Sequence, residues 1–361
     1  MKKSTSRALA AIVVGVAIAM VPASPALAAS WSVVPTPASS YGLVGVDAVD
    51  ATNVWAVGNG GLAARWDGTA WTATSTPVPG GTLHGVDGSA ADNVWAVGSA
   101  GAATLTERWN GTSWSVVPSP DPAGGTGPHL EGVKTFSGAD AWAVGSFSSS
   151  VGPIARTLIQ HWDGTAWSIV PSPNPDTEVN LLTDVDGAAP DDVWAIGNLG
   201  HEAYGGTPRR GLVAHWDGTA WSQVNVPGTT SDGTINFPTL EDVFVVSAND
   251  VWIVGRAFSW TVFKMVPIAL HWNGLTWQRS VLNTAPNDGA GFVGVAALSS
   301  TQVYAVGKVI ARWTGAAWAL DGASVPTGGA LIDMAAVGPS TFWAVGSAGP
   351  GGTLAVRTIN G

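Results

Sequence analysis

The chain has 361 residues, no cysteine and a formal net charge of −10, with only 11% of its residues charged and 47 glycines. The lack of cysteine excludes disulfides, thiolate metal sites and a cysteine nucleophile, and the acidic balance sets the chain against nucleic acid and anionic membranes. A composition rich in Gly, Ala, Thr and Ser suits short strands and tight turns rather than charged surface helices.

In chain order the first element is a leader. Lys2, Lys3 and Arg7 precede an uncharged apolar run from Ala8 to Met20 and then Ala26-Leu27-Ala28, the three parts of a signal peptide. The run is 13 residues long, short of the roughly 20 that a helix needs to cross a bilayer. Cleavage is expected after Ala28. Residues 1–28 are then the leader, and 29–361 a single secreted, extracellular domain with no membrane span, expected to be monomeric. Without Lys2, Lys3 and Arg7 the product keeps 12 basic against 25 acidic residues, a charge of −13.

The next segment, Trp31-Ser32-Val33-Val34-Pro35, has the form of a strand with no partner beside it. Then a repeat begins. Asn53-Val54-Trp55-Ala56-Val57-Gly58 recurs at Asn93 to Gly98, Trp142 to Gly145, Val193 to Gly197, Val251 to Gly255, Val303 to Gly307 and Trp343 to Gly346, seven copies in all. A second motif follows six of them: Arg65-Trp66-Asp67-Gly68-Thr69-Ala70-Trp71, then Arg108 to Trp114, His161 to Trp167, His215 to Trp221, His271 to Trp277 and Arg312 to Trp318. The seventh stops at Arg357-Thr358-Ile359-Asn360-Gly361.

Each unit is expected to hold four strands, a to d. Strand a lies around Leu43-Val44-Gly45-Val46, strand b is the Val-Trp-Ala-Val run, and strand c ends at the Arg/His-Trp pair. An Asp-Gly or Asn-Gly hairpin then leads to strand d. The orphan strand at the start and the missing strand d at the end predict a closed ring, an all-β seven-bladed β-propeller whose last blade the N-terminal strand completes. Of 20 tryptophans only Trp260 falls outside three repeat positions, so blade packing is expected to use the rest.

The string Val303-Tyr304-Ala305-Val306-Gly307 with Arg312-Trp313-Thr314-Gly315-Ala316-Ala317-Trp318 resembles a kelch repeat. Most copies lack the kelch double glycine after strand b, and the turn between the two tryptophans is shorter. The units are also similar to those of Ycf48-type and Asp-box propellers. The kelch-like resemblance brings galactose oxidase to the comparison, whose copper site uses a cysteine-linked tyrosine that a cysteine-free chain cannot form. The repeated Arg65, Arg108, Arg312 and Arg357 are expected to be structural cations rather than a sialidase-type triad. His161, His215 and His271 occupy the same position on strand c, too far apart between blades to share a metal. Histidine is confined to the three blades with long loops between strands b and c, so its presence is expected to follow loop length. Asp67, Asp163 and Asp217 are turn residues. No catalytic residue, metal site or cofactor is expected.

The longest loops between strands b and c fall in blades 3 to 5, and long loops on a rigid scaffold are where recognition sits. The candidate ligand-binding residues are His201, Glu202, Tyr204, Arg209 and Arg210 in blade 4, with Phe258, Trp260, Phe263 and Lys264 in blade 5. The function expected is non-enzymatic binding of an extracellular protein or other macromolecule. A glycan-binding lectin is the alternative, followed by an enzyme with a site at the channel mouth.

Overall fold

The computed structural model describes residues 30–359 apart from 152–153, 201–208, 228–231, 286–290, 322–324, 326–327 and 350–351. The leader and the candidate residues His201, Glu202 and Tyr204 lie outside the described residues. Seven four-stranded antiparallel sheets form the ring of a β-propeller. Blades 1 to 6 occupy 43–74, 82–116, 125–170, 180–223, 235–281 and 292–320. Blade 7 takes strands a to c from Ala330–Val337, Thr341–Ser347 and Thr353–Ile359, and its strand d from Ser30–Val34. Trp31 pairs with Thr358 and Val34 with Ala355 in that closing ladder, so the predicted closure is the one observed.

The tryptophans hold the blades together in a regular pattern. The strand-b indole of each blade packs against the strand-c and strand-d indoles of the next. Trp55 lies 4.9 and 5.1 Å from Trp109 and Trp114, Trp95 5.1 and 5.0 Å from Trp162 and Trp167, and Trp142 4.9 and 5.4 Å from Trp216 and Trp221. Trp343 closes the circle on Trp66 and Trp71 at 5.0 and 5.2 Å. Blade 6 carries Tyr304 instead, and the N-terminal strand brings Trp31 to it at 5.7 Å. A buried indole removes about 150 to 250 Å² from water, so each such triad is a small core of its own.

The glycine that closes each strand-b motif has a packing cause. A Cβ on Gly98 would stand 1.9 Å from the carbonyl oxygen of Thr82 on strand a, where the register slips between Leu83 and Gly85. The strand-c arginine or histidine stacks on the strand-b indole: Arg108 lies 5.4 Å above Trp95, and His161, His215 and His271 lie 4.3, 4.2 and 3.9 Å from Trp142, Trp194 and Trp252. Besides loop length, the choice between histidine and arginine tracks the residue that opens strand b. His161, His215 and His271 bond Asp140, Asp192 and Asp250 at 3.2, 2.7 and 2.9 Å, whereas Arg65 and Arg108 bond Asn53 and Asn93. These partners open strand b, at the opposite end of the blade from the loops, so the cation follows the residue facing it.

In the c–d hairpins Asp67 accepts from Thr69 Oγ1 and the amides of Thr69 and Ala70, and these bonds pull its carboxyl down to about 2. Asp163 and Asp217 do the same. The turn assignment therefore holds for all three.

Candidate functional site: the axial channel and the loop face

Strand a of each blade faces the axis. At one position of this strand stand Gly45, Gly85, Gly132, Asp184, Asp242, Gly294 and Asp333, and two residues on stand Asp47, Asp87, Lys134, Asp186, Phe244, Ala296 and Ala335. The carboxylates reach across to the next blade. Asp47 accepts the Gly88 amide at 3.0 Å, Asp87 that of Thr135 at 2.6 Å, Asp184 and Asp186 those of Val243 and Val245 at 3.0 and 2.6 Å, Asp242 that of Val295 at 2.6 Å, and Asp333 that of Val46 at 2.7 Å. Between blades 3 and 4 the link is Lys134 Nζ to Asp186 at 2.7 Å. There a Cβ on Gly132 would meet the Asp184 Cα at 2.9 Å.

Burial along the axis penalises the charged carboxylates. It pushes Asp47 up to about 8, with Asp87 adding to the effect, and Asp333 to about 7. Asp184 rises to about 6 and hydrogen-bonds Asp242, which is itself raised well above the usual range. One of the two therefore carries the proton of that bond.

The channel opens as a cavity of about 490 Å³, continued by one of about 320 Å³ towards the other face. Its wall is two-sided: Asn59, His84, Glu131, Thr183 and Glu241 from blades 1 to 5 face an apolar arc of Val293, Ile332 and Val44 from blades 6, 7 and 1. His84 Nδ1 meets Glu131 at 2.9 Å. Burial opposes the charged imidazole, but Glu131 and the Leu130 carbonyl outweigh it and raise its proton affinity. Glu241 is raised by burial, offset by Arg256 at 3.6 Å and by the more distant Arg209.

The loops between strands b and c share a face with the connections between blades. Trp260 N donates to Thr234 O at 3.0 Å, and Ala155 bridges to Val179. On this face the structure brings Phe258, Trp260 and Phe263 together, with ring centroids 5.0, 5.6 and 6.0 Å apart. Trp260 is 43% exposed and Phe263 74%. They crown the hairpin of Asp250–Ser259 and Lys264–Trp272, which rises on a separate apolar cluster of Ile235, Ala257 and Ile268. Lys264 Nζ donates to Ala285 O at 2.5 Å, tying this hairpin to the next connection. Arg209 is exposed and lowers the proton affinity of Glu241 through its charge. Arg210 is bound to Asp176 at 2.7 Å, and Asp176 also caps the amides of Glu178 and Val179. Its guanidinium thus clamps the connection from blade 3 to blade 4.

Sequence reasoning missed Phe237, Val151 and Ile154. With Trp260, Val262 and Phe263 they make six of the twelve exposed large apolar side chains among the described residues, all on the loop face of blades 3 and 5. Phe237 and Phe263 are also the two described non-glycine residues with left-handed backbones, at φ 50° and 53°. Such a conformation is unfavourable for an aromatic residue and is kept where surrounding structure or function demands it.

No protein-family model matches the chain, and no curated protein matches it. Solved structures do. Ycf48 bound to a D1 peptide aligns with a TM-score of 0.60 at 16% identity, over 92% of this chain and 97% of that one. The WD40 propeller domain of Doa1 gives 0.61 at 11%, over 92% and 98%. Virginiamycin B lyase from Staphylococcus aureus gives 0.58 at 12%, over 92% and 99%. At these identities the likeness shows the fold, a seven-bladed β-propeller.

Proposed function

We propose that this propeller is a non-enzymatic recognition module that binds a peptide segment of another protein on the loop face over blades 3 to 5. The observation that carries the reading is the exposed cluster of Phe258, Trp260 and Phe263 beside Phe237. Aromatic side chains held at an exposed tip are what binding hot spots favour. The Ycf48 structure with its bound D1 peptide supports the same class of partner. The axial carboxylates, each bonded to an amide of the next blade, have a structural task that accounts for them without chemistry.

The test is selection of ten-residue peptides from a random display library on the intact protein, followed by titration against Trp260→Ala with Phe263→Ala. Two hot-spot side chains at about 1 to 2 kcal/mol each predict a loss of at least roughly 30-fold, with an unchanged melting temperature. If no peptide is selected while a glycan array gives binding that the same double change removes, the protein is a lectin and the reading falls.

A further inference from the structure

The apolar patch adjoins the channel mouth, and their chemistry differs. Phe237 stands on strand a of blade 5, four residues before Glu241, a separation of at most roughly 13 Å at about 3.3 Å per strand residue, shortened by the bulges between Asn236 and Asp242. Among the described residues the ionisable groups lining the cavity are five carboxyls, Glu131, Asp184, Glu241, Asp242 and Asp333, with His84 as the single nitrogen base. Across from them Val44, Val293 and Ile332 offer an apolar wall. A lysine or arginine side chain needs those two surfaces: a wall for its methylene stem and carboxylates for its head. A carboxylate side chain entering the same cavity would meet the rim carboxyls Glu131 and Glu241, on a chain whose formal charge is already −10.

Building on the peptide-binding reading, we infer that the partner is an extended segment carrying an apolar residue and a cationic one about four positions apart. The apolar residue rests on Phe237, Trp260 and Phe263. The Lys or Arg side chain enters the axial cavity, its stem against Ile332 and Val293 and its charge towards Glu131 and Glu241. Both rim carboxylates already have a partner, Glu241 Oε1 with Arg256 at 3.6 Å and Glu131 with His84 at 2.9 Å and His129 at 3.4 Å, so the incoming cation shares them. Burial of the cation in a cavity rather than at an open surface shields the pairing from salt.

The experiment uses the peptides selected on the intact protein, each remade with norleucine for Lys or citrulline for Arg. These replacements keep the length and remove the charge. The expected result is a loss on the order of tenfold or more for the neutral peptides. Glu131→Gln with Glu241→Gln should weaken the cationic peptides by a similar factor and leave the neutral ones unchanged. Trp260→Ala with Phe263→Ala should weaken both kinds. If the neutral peptides bind as tightly as the parents and still require Trp260 and Phe263, the cationic anchor is wrong and peptide recognition stands. If no peptide binds at all, both fall together. A melting temperature within a degree or so of the parent confirms that each variant is folded.

Discussion

The blade boundaries are held at two radii by different chemistry. Towards the rim, the strand-b aromatic of one blade inserts between the strand-c and strand-d tryptophans of the next, as Trp95 does with Trp162 and Trp167. At the axis the contact is a carboxyl oxygen on a backbone amide, as Asp87 on Thr135. The outer contact depends on shape and burial and is indifferent to pH. The inner one changes character with protonation. It also varies from boundary to boundary: Asp184, Asp242 and Asp333 stand where Gly45, Gly85, Gly132 and Gly294 stand in the other blades, and Gly132 leaves no room for a Cβ against Asp184. One structural requirement is thus met by a strict repeat outside and by a mixed set of residues inside.

The largest expected effect comes from breaking the outer ring where it is not continuous in sequence. Deleting residues 29–36 removes strand d of blade 7, the Trp31 contact with Tyr304 and the bond from Trp31 Nε1 to Asp321 at 2.8 Å. Loss of this half-buried tryptophan costs up to about 3 kcal/mol, and the buried Asp321, left with Arg312 at 3.8 Å, adds about 1 to 3. Thermal unfolding of the truncated chain should show a much lower and broader transition. A truncated chain that melts with the intact one would mean that the outer ring is not what closes the molecule.

The inner ring should reveal itself through pH. Asp47, Asp184 and Asp333 hold their protons to about 8, 6 and 7, and burial pushes Glu107, on strand c of blade 2, to about 7. A folded-state affinity raised above the unfolded one stabilises at pH below about 4, and that contribution is lost as pH rises through 6 to 8. The turn residues Asp67, Asp163 and Asp217, held down at about 2, act oppositely and weaken the fold only below pH 4. The melting temperature should therefore peak near pH 4 to 5 and fall by roughly 5 to 10 °C by pH 8. That fall corresponds to several kcal/mol, at about 1.4 kcal/mol for each tenfold change in proton affinity. Asp47→Asn keeps an acceptor for the Gly88 amide and should flatten the slope. Glu107→Gln should flatten it further, copying blade 3, where Gln160 donates to Pro120 O at 2.8 Å. A melting temperature that rises steadily from pH 5 to 8 would contradict this account of the axis.

The two radii also differ in how far they can be read from residues alone. Strand b, the cation and the paired tryptophans recur at fixed spacing, so the blade count and the closure by Trp31 follow from the sequence. Asp184, Asp242 and Asp333 stand where four other blades have glycine, and no repeat marks them. Their convergence depends on seven strands meeting at one axis, a long-range consequence of the ring. A signal was present in the alternation of Gly45-Val46-Asp47, Gly85-Val86-Asp87 and Asp184-Val185-Asp186, where charged residues interrupt an otherwise apolar strand. The loop residues divide similarly. Trp260 stood out as the tryptophan no repeat explains, and Phe258 and Phe263 came with it. Phe237 precedes Pro238 in a segment that reads as strand, and only the hairpin register, pairing Asn236 with Phe258, carries it to the same patch. Arg210 looked available because its partner, Asp176, is 34 residues away in sequence.

The smallest expected effect tests the finest distinction within the outer ring, the exchange of His–Asp for Arg–Asn beneath one indole. In blade 4, His215 lies 4.2 Å from Trp194 and 2.7 Å from Asp192. In blade 2, Arg108 lies over Trp95 and bonds Asn93 at 2.9 Å. If the cation follows its strand-b partner, Asp192→Asn alone should cost about 0.5 to 1 kcal/mol, the worth of a partly exposed charge-assisted bond. Adding His215→Arg should recover most of that loss by rebuilding the blade 2 pair in blade 4, an interaction energy that a double-mutant cycle measures directly. Additive effects of the two changes would show that the residues do not sense each other. A chelator should leave the melting temperature of the intact protein unchanged, because each histidine is held by its own aspartate and its own tryptophan. A fall on chelation would assign the three histidines to a metal instead.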